Sequence, residues 1–220
     1  MSNLFNGISE EDARLIRHNL DISQISLKAG SDLLDLLPPG RFLGVVEEGQ
    51  IDVLRTDSAG NSMLLFSGTE GSVLGPYYMR GNRGEISITA RTRSVVTIVD
   101  YSLFSSVNRD VELYALFNRN LLDMMIVTDR SLNERTAVIM QKSIRTKLLE
   151  YFRQETRKIG RRQFTMPFTF TFLADWLSVD RSAMQRELKN LKEEGFIRIK
   201  GRTVTVLEGT DSSVYNRFGN

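Results

Sequence analysis

Between Val107 and Arg135 the chain contains neither glycine nor proline. These two residues are the usual interrupters of helices, so a run this long without either constrains the fold more than any other feature. Apolar residues recur in it at Leu113, Phe117, Leu121, Met124 and Leu132, and Thr128 completes an alternation of three- and four-residue steps. The spacing predicts one long helix with a narrow apolar seam. Such a seam suits a two-helix interface; the other reading is a helix lying on its own β-domain. Asn120 and Thr128, close to the seam, can face a partner helix or a ligand.

The predicted helix separates two unlike regions. Ahead of it, Ser9 is placed to cap a short helix running to about Asn19, with Glu10, Glu11 and Asp12 suited to its N-terminal dipole. From Ile22 to Phe104, short apolar runs such as Phe42–Val46, Ile51–Leu54, Met63–Phe66 and Val95–Val99 alternate with turn signals at Pro38-Pro39-Gly40, Glu48-Gly49-Gln50 and Arg80-Gly81-Asn82. Strands punctuated this way predict a β-sandwich or barrel, with Asp57 to Asn61 as a hairpin turn. Behind the long helix, Ile144, Leu148, Leu149 and Phe152 share one helical face, and Gly160-Arg161-Arg162-Gln163 reads as a linker. Glu208 to Asn220 reads as a polar tail.

Charge follows the same division. Residues 1–135 hold 13 Lys and Arg against 18 Asp and Glu, whereas residues 136–220 hold 16 against 9. An acidic front and a basic back suit a sensor or scaffold joined to a polyanion-binding domain, although basic surfaces also serve solubility alone. There is no cysteine and a single histidine, His18. Thiolate metal sites, disulfides and cysteine nucleophiles are therefore excluded. No Ser/His/Asp or Cys/His set, P-loop or dinucleotide fingerprint occurs, so the chain is not read as an enzyme. No run approaches the roughly 20 apolar residues of a membrane span, and the N-terminus lacks a basic leader and an apolar core. A cytoplasmic protein without membrane contact is expected.

The most informative segment is Phe170 to Leu207. Leu173, Leu177, Met184, Leu188 and Leu191 describe two short helical faces broken at Ser178-Val179-Asp180. Val179 fits the break as an apolar plug, Ala174 is small where two helices cross, and Asp180 is placed to cap the second helix. Gly195 ends it, and Phe196–Ile199, Lys200-Gly201-Arg202 and Thr203–Leu207 predict a β-wing. Because Met184, Leu188 and Leu191 are needed for the core, Arg181, Ser182, Gln185, Arg186 and Lys189 fall on the exposed face. A helix of this kind fits the DNA major groove, and Lys200 and Arg202 are candidates for holding phosphates. The plainer reading is that these cations only solvate the helix.

With these residues in view, the chain resembles the CRP/FNR family of bacterial regulators over nearly its whole length, most strongly in LADWLSVDRSAMQRELKNLKEEGFIRIKGRTVTVL. The resemblance implies an α+β architecture: an N-terminal double-stranded β-helix, jelly-roll-like, as an effector-binding domain over 1–106, a dimerisation helix over 107–137, and a winged helix-turn-helix over 138–220. It implies a homodimeric transcription regulator bound to double-stranded DNA at a near-palindromic operator, with RNA polymerase a candidate partner. Arg181 and Arg186 match the family's recognition-helix arginines, while Ser182 stands where Glu is common, which alters the expected half-site. Gly49 and Gly71-Ser72-Val73-Leu74-Gly75 look like the family's turn glycines.

The effector does not carry over. Cyclic-AMP-binding members place Glu after that turn and then an Arg-Ser pair. Here Pro76 replaces the Glu, and Gly84-Glu85 fall where the pair would lie, so Glu85 repels a phosphate unless Arg83 shifts into its place. An effector other than cyclic AMP is expected, of unknown identity, with Tyr77, Tyr78, Met79, Asn120 and Met124 as candidate contacts or, alternatively, core packing. No iron–sulfur cluster is expected, and haem would have to rest on His18, read as an exposed helix residue. The competing functional reading is a ligand-binding signalling module acting through protein contact, with the basic domain as the partner surface.

Overall fold

The computed structural model describes residues 3–38, 41–79, 85–104 and 111–207. It comprises two compact units, residues 1–131 and 132–220. The division falls inside the long helix, whereas the sequence treats that helix as a segment of its own. The turn at Arg80-Gly81-Asn82, the positions Pro39, Gly40, Arg83 and Gly84, and the tail from Glu208 lie outside the described residues.

The first unit is a jelly-roll-like β-domain. Helix α1 (Glu10–Asn19) starts at Ser9, whose side chain accepts from the Asp12 amide. Seven strands follow among the described residues: β1 (Ser23–Leu27), β2 (Phe42–Glu48), β3 (Gln50–Thr56), β4 (Ser62–Thr69), β5 (Val73–Leu74), β6 (Ile86–Ala90) and β7 (Ser94–Asp100). They form two antiparallel sheets, ordered β1-β7-β2-β5 and β4-β3-β6. Alternation shows where the core lies: in β4, Leu64 and Phe66 are buried, and in β6 Ile86, Ile88 and Ala90. A short helix α2 (Pro76–Met79) follows β5.

Two turns explain the registers. At Asp57–Asn61 the Asp57 carboxylate accepts from the amides of Ala59 and Asn61, and these bonds, led by the Asn61 side chain, lower its pKa. The β2–β3 corner is a single residue, Gly49, at φ +83°. A Cβ there would stand 2.3 Å from the Arg93 carbonyl oxygen. Only glycine meets both conditions.

The long helix α3 (Val111–Ile139) corrects the seam reading. Phe117, Leu121, Met124 and Thr128 are buried, and the first three pack into the chain's own core with Leu4, Phe5, Ile16, Leu43, Val73 and Val99. The Thr128 hydroxyl accepts from the Val73 amide at 3.0 Å and donates to the Met124 carbonyl. The seam therefore serves the roll: with the N-terminal segment and Tyr101 to Phe104, it packs on Leu43, Val45, Val73 and Val99 of the sheet. The exposed large apolar residues of α3 lie elsewhere on it: Leu122, Met125, Ile126 and Val127.

The second unit contains the end of α3, helix α4 (Ile144–Ile159), β8 (Gln163–Thr165), α5 (Phe170–Leu177), α6 (Arg181–Glu193), β9 (Ile197–Lys200) and β10 (Thr203–Val206). Ser143 and Thr146 form a capping box at the start of α4, and Gly160 ends it in the left-handed conformation. The expected linker is only partly one. Gln163 begins a third strand, and β8 pairs with β10 to give the order β8-β10-β9. Three residues with one buried side chain, Phe164, are too short to show a strand period.

Gly49→Ala is expected to lose about 3 kcal/mol or more, combining left-handed strain with the clash at the Arg93 carbonyl. Urea unfolding monitored by circular dichroism measures it. A loss below about 1 kcal/mol would show that the corner relaxes at little cost.

Candidate nucleic-acid interface and ligand cleft

Helix α5 is capped by Thr169, whose hydroxyl accepts from the Phe172 amide. It buries Phe172, Leu173, Ala174 and Leu177, and ends at Ser178, a non-glycine residue at φ +54°. That left-handed residue turns the chain, and Val179 packs against the core. Asp180 then caps α6, its Oδ1 accepting from the Ala183 amide at 2.7 Å. Met184, Leu188 and Leu191 are buried beneath α6 with Leu148, Phe152, Ile197 and Val204.

Two cations not singled out in the sequence hold the turn between the helices. The Arg135 guanidinium, buried at 8% exposure, donates from Nε to the Trp176 carbonyl at 3.0 Å and from Nη2 toward Ser178 Oγ at 3.5 Å. Lys147 Nζ donates to the Leu177 carbonyl at 3.2 Å. Both carbonyls belong to the last turn of α5, which an α-helix leaves without internal donors and at the negative end of its dipole. Burial, and then the nearby Arg135 charge, hold the Lys147 pKa below its ordinary value. No local pattern marks either residue, since their partners are backbone oxygens some thirty to forty positions away.

The last turns of α3 are tied to α4 as well. Gln154 donates to the Glu134 carbonyl at 3.1 Å, and Lys158 pairs with the Glu134 carboxylate at 2.8 Å.

The structure brings the sequence-selected cations of α6 onto one exposed surface. Arg181, Ser182, Gln185, Arg186 and Lys189 are all exposed. Among the described residues, Arg181, Ser182, Gln185 and Arg186 have no side-chain partner, and Lys189 has only an exposed contact with Glu193 at 3.7 Å. An exposed pair of that kind is worth at most about 1 kcal/mol and yields readily to a stronger anion. Two of the acids on α6 and at its C-terminus are held elsewhere: Arg145, at 16% side-chain exposure, binds both Glu187 and Glu194. Lys200 and Arg202 flank Gly201 (φ +59°) at the β9–β10 turn, and both are exposed. The arrangement offers unpaired guanidinium and amide groups at the first turns of a capped helix, beside a basic hairpin. These are the donors that reach base edges and phosphates.

The first unit holds a cleft of about 440 Å³ between the Thr69–Ser72 turn, Asn6 and the α3 face from Asn120 to Ser131. Of the sequence candidates, Asn120 and Met124 line it. Met124 is also part of the core, and Asn120 donates from Nδ2 to the carbonyls of Leu4 and Asn6. Tyr78 stacks on Phe66 with the rings 6° from parallel. The side chains of Tyr77 and Met79 lie outside the described residues. Glu85 lines a different cleft, with Asp32 and Asp35, and pairs with Arg55 at 3.5 Å. His18 is an exposed residue of α1. Among the described residues there is no group of three acidic, His or Cys side chains that would hold a metal, and no helix is long and apolar enough to cross a membrane.

Comparison with known proteins agrees with the geometry. Residues 145–209 match the Crp-like helix-turn-helix domain. A CooA mutant from Carboxydothermus hydrogenoformans has a similar structure, with a TM-score of 0.71 and 15% identity over 100% of this chain and 96% of that one. A transcriptional regulator of the CRP/FNR family from Eubacterium rectale gives 0.55 and 19% over 97% of each chain. The c-di-GMP-responsive global regulator CLP of Xanthomonas campestris gives 0.58 and 14% over 90% and 99%. No curated protein matches the sequence.

Arg135→Met is expected to destabilise the second unit by about 1.5–3 kcal/mol, the range for a hydrogen bond to a charged group. It should also let the Lys147 pKa rise toward its ordinary value, because the Arg135 charge is one of the two causes holding it down. Thermal unfolding and NMR titration of the lysine Nζ resonances read the two effects. An unmoved Lys147 resonance would show that the two cations do not act together.

Proposed function

We propose that this chain, of the CRP/FNR family by its Crp-like helix-turn-helix domain and its fold, is a homodimeric, sequence-specific DNA-binding transcription regulator controlled by a small molecule other than cyclic AMP. One observation carries the reading. The exposed face of α6 bears Arg181, Ser182, Gln185 and Arg186 with no partners among the described residues, while the neighbouring Glu187 and Glu194 are bound to Arg145. A helix face whose donors are unpaired, with Glu187 and Glu194 tied back, is complementary to DNA. In this reading Arg181 forks onto a guanine, Gln185 and Ser182 contact neighbouring bases, and Arg186, Lys189, Lys200 and Arg202 hold phosphates.

Homodimerisation rests on the second face of α3. Leu122, Met125 and Ile126 are 57%, 39% and 49% exposed on a part of the helix surface beside the face already filled by the roll. Apolar residues repeated on one exposed helix face suit pairing with the same helix of a second copy. Such a dimer sets two recognition helices about 34 Å apart, one helical turn of DNA, on a near-palindromic operator. The effector reading rests on the cleft beside Asn120 and Met124, and on Pro76 and Glu85 in place of the residues that grip a cyclic phosphate. A ligand there shifts the populations of DNA-competent and incompetent states. RNA polymerase is the natural further partner of a regulator placed at an operator.

Selection from random DNA, followed by binding at several salt concentrations, tests the DNA reading. A single enriched motif is expected, with affinity falling steeply as salt rises. Arg181→Ala should weaken binding to that motif by about 1–3 kcal/mol per half-site and relax the preference at one base pair. Salt-insensitive or sequence-blind binding by the wild type would overturn it. Independently, Leu122→Asp combined with Ile126→Asp should convert a dimer to a monomer in sedimentation experiments while leaving the far-ultraviolet spectrum unchanged. A dimer that survives both substitutions places the interface elsewhere.

A further inference from the structure

The cleft at α3 has a chemical polarity of its own. The Asn120 amide cannot be turned: both Nδ2 bonds end on carbonyl oxygens, Leu4 at 3.1 Å and Asn6 at 2.9 Å, so its Oδ1 is fixed as an acceptor. That Oδ1 has no donor among the described residues. One α-helical turn away, Asp123 lines the same cleft, and Glu70 faces it from the β4–β5 turn. Neither carboxylate has a salt-bridge partner among the described residues. The hydroxyl of Thr128 is already spent on Val73 and Met124. No Lys or Arg is among the described lining residues. Among the described residues the wall thus offers a fixed acceptor and two carboxylates beside the Asn6 amide, with Met124 and Val127 supplying apolar surface. Its volume lies within the roughly 300–1,000 Å³ of small-molecule sites.

We propose that this cleft binds a small organic cation carrying several N–H donors, an amine or polyamine, and not a phosphate-bearing ligand. The Asp123 and Glu70 carboxylates pair with ammonium groups, Asn120 Oδ1 accepts one further N–H, and the methylene stem lies on Met124 and Val127. The proposal rests on the effector reading above for its place in regulation, but its ligand class follows from the lining alone. A phosphate here would meet two carboxylates and a fixed carbonyl oxygen, each repelling it.

Calorimetric titration of the full chain without DNA tests it, using spermidine and 1,4-diaminobutane as probes and cyclic AMP and inorganic phosphate as anionic controls. Saturable binding of one amine per chain is expected, weakened at least tenfold by Asp123→Asn and again by Glu70→Gln. Both residues are exposed, so the variants should keep the wild-type melting temperature. Absence of saturable amine binding overturns the proposal, as does binding that both substitutions leave unchanged, or tighter binding of either anion. Operator affinity measured with and without ligand separates the two readings. An amine that binds through Asp123 but leaves operator affinity unchanged upholds the ligand class and removes the effector role. An anion that alters operator affinity, with no amine bound, does the reverse.

Discussion

The helix-turn-helix geometry depends on how the end of α5 is held. An α-helix finishes with carbonyls that lack internal donors, and a chain that turns sharply at that point must find donors elsewhere. Here Ser178 adopts a left-handed conformation without being glycine, which L-residues resist by roughly 1–2 kcal/mol. Arg135 and Lys147 offset this by donating to the Trp176 and Leu177 carbonyls. With the turn fixed, Asp180 falls where its carboxylate caps α6, and Arg181 to Lys189 face outward. Removing either cation acts on the aim of α6 through the turn, without touching any exposed residue of its surface.

The same pair gives the end of α3 a role that neither helix propensity nor amphipathicity would assign. Arg135 is an interior cation on a helix whose neighbours Glu134 and Val138 are also committed, the first to Gln154 and Lys158 and the second to the core. The last two turns of α3 thus belong to the winged unit by packing, while Tyr114 to Thr128 belong to the roll. One continuous helix is divided between two cores. The sequence shows it as a single Gly- and Pro-free segment because backbone propensity is blind to which core a residue joins.

Legibility varied with the range of the interactions. The Asp57–Asn61 turn, the Ser9 and Asp180 caps, the break at Ser178 to Asp180 and the exposed face of α6 were readable, since each depends on residues within four positions. The alternating runs identified strands, but not the pairing order β1-β7-β2-β5, which is set by long connections. The spacing along α3 selects the buried Phe117, Leu121, Met124 and Thr128 but fits two possible surroundings. Periodicity gives a face, and only the apolar area left uncovered by the sheet decides what fills it. Arg135, Lys147 and Arg145 were invisible because their partners are distant backbone oxygens or carboxylates. The effector candidates divide for the same reason: Asn120 and Met124 reach a cleft, whereas Tyr78 is stacked in the roll.

Asn120 also shows how a structural bond can fix a chemical preference. By donating both N–H groups to the segment Leu4 to Asn6, it ties the N-terminus of the chain to α3. The cost of that tie is that the amide has no donor left for the cleft. A phosphate-binding pocket needs N–H groups pointing inward; here the Asn120 amide is locked with its oxygen as the free end, one helical turn from Asp123. Reversing the preference by a single flip would break two hydrogen bonds, a loss of about 1–3 kcal/mol. The proposed ligand polarity therefore rests on the hydrogen bonds from Asn120 to Leu4 and Asn6, and not only on the charges that line the cleft.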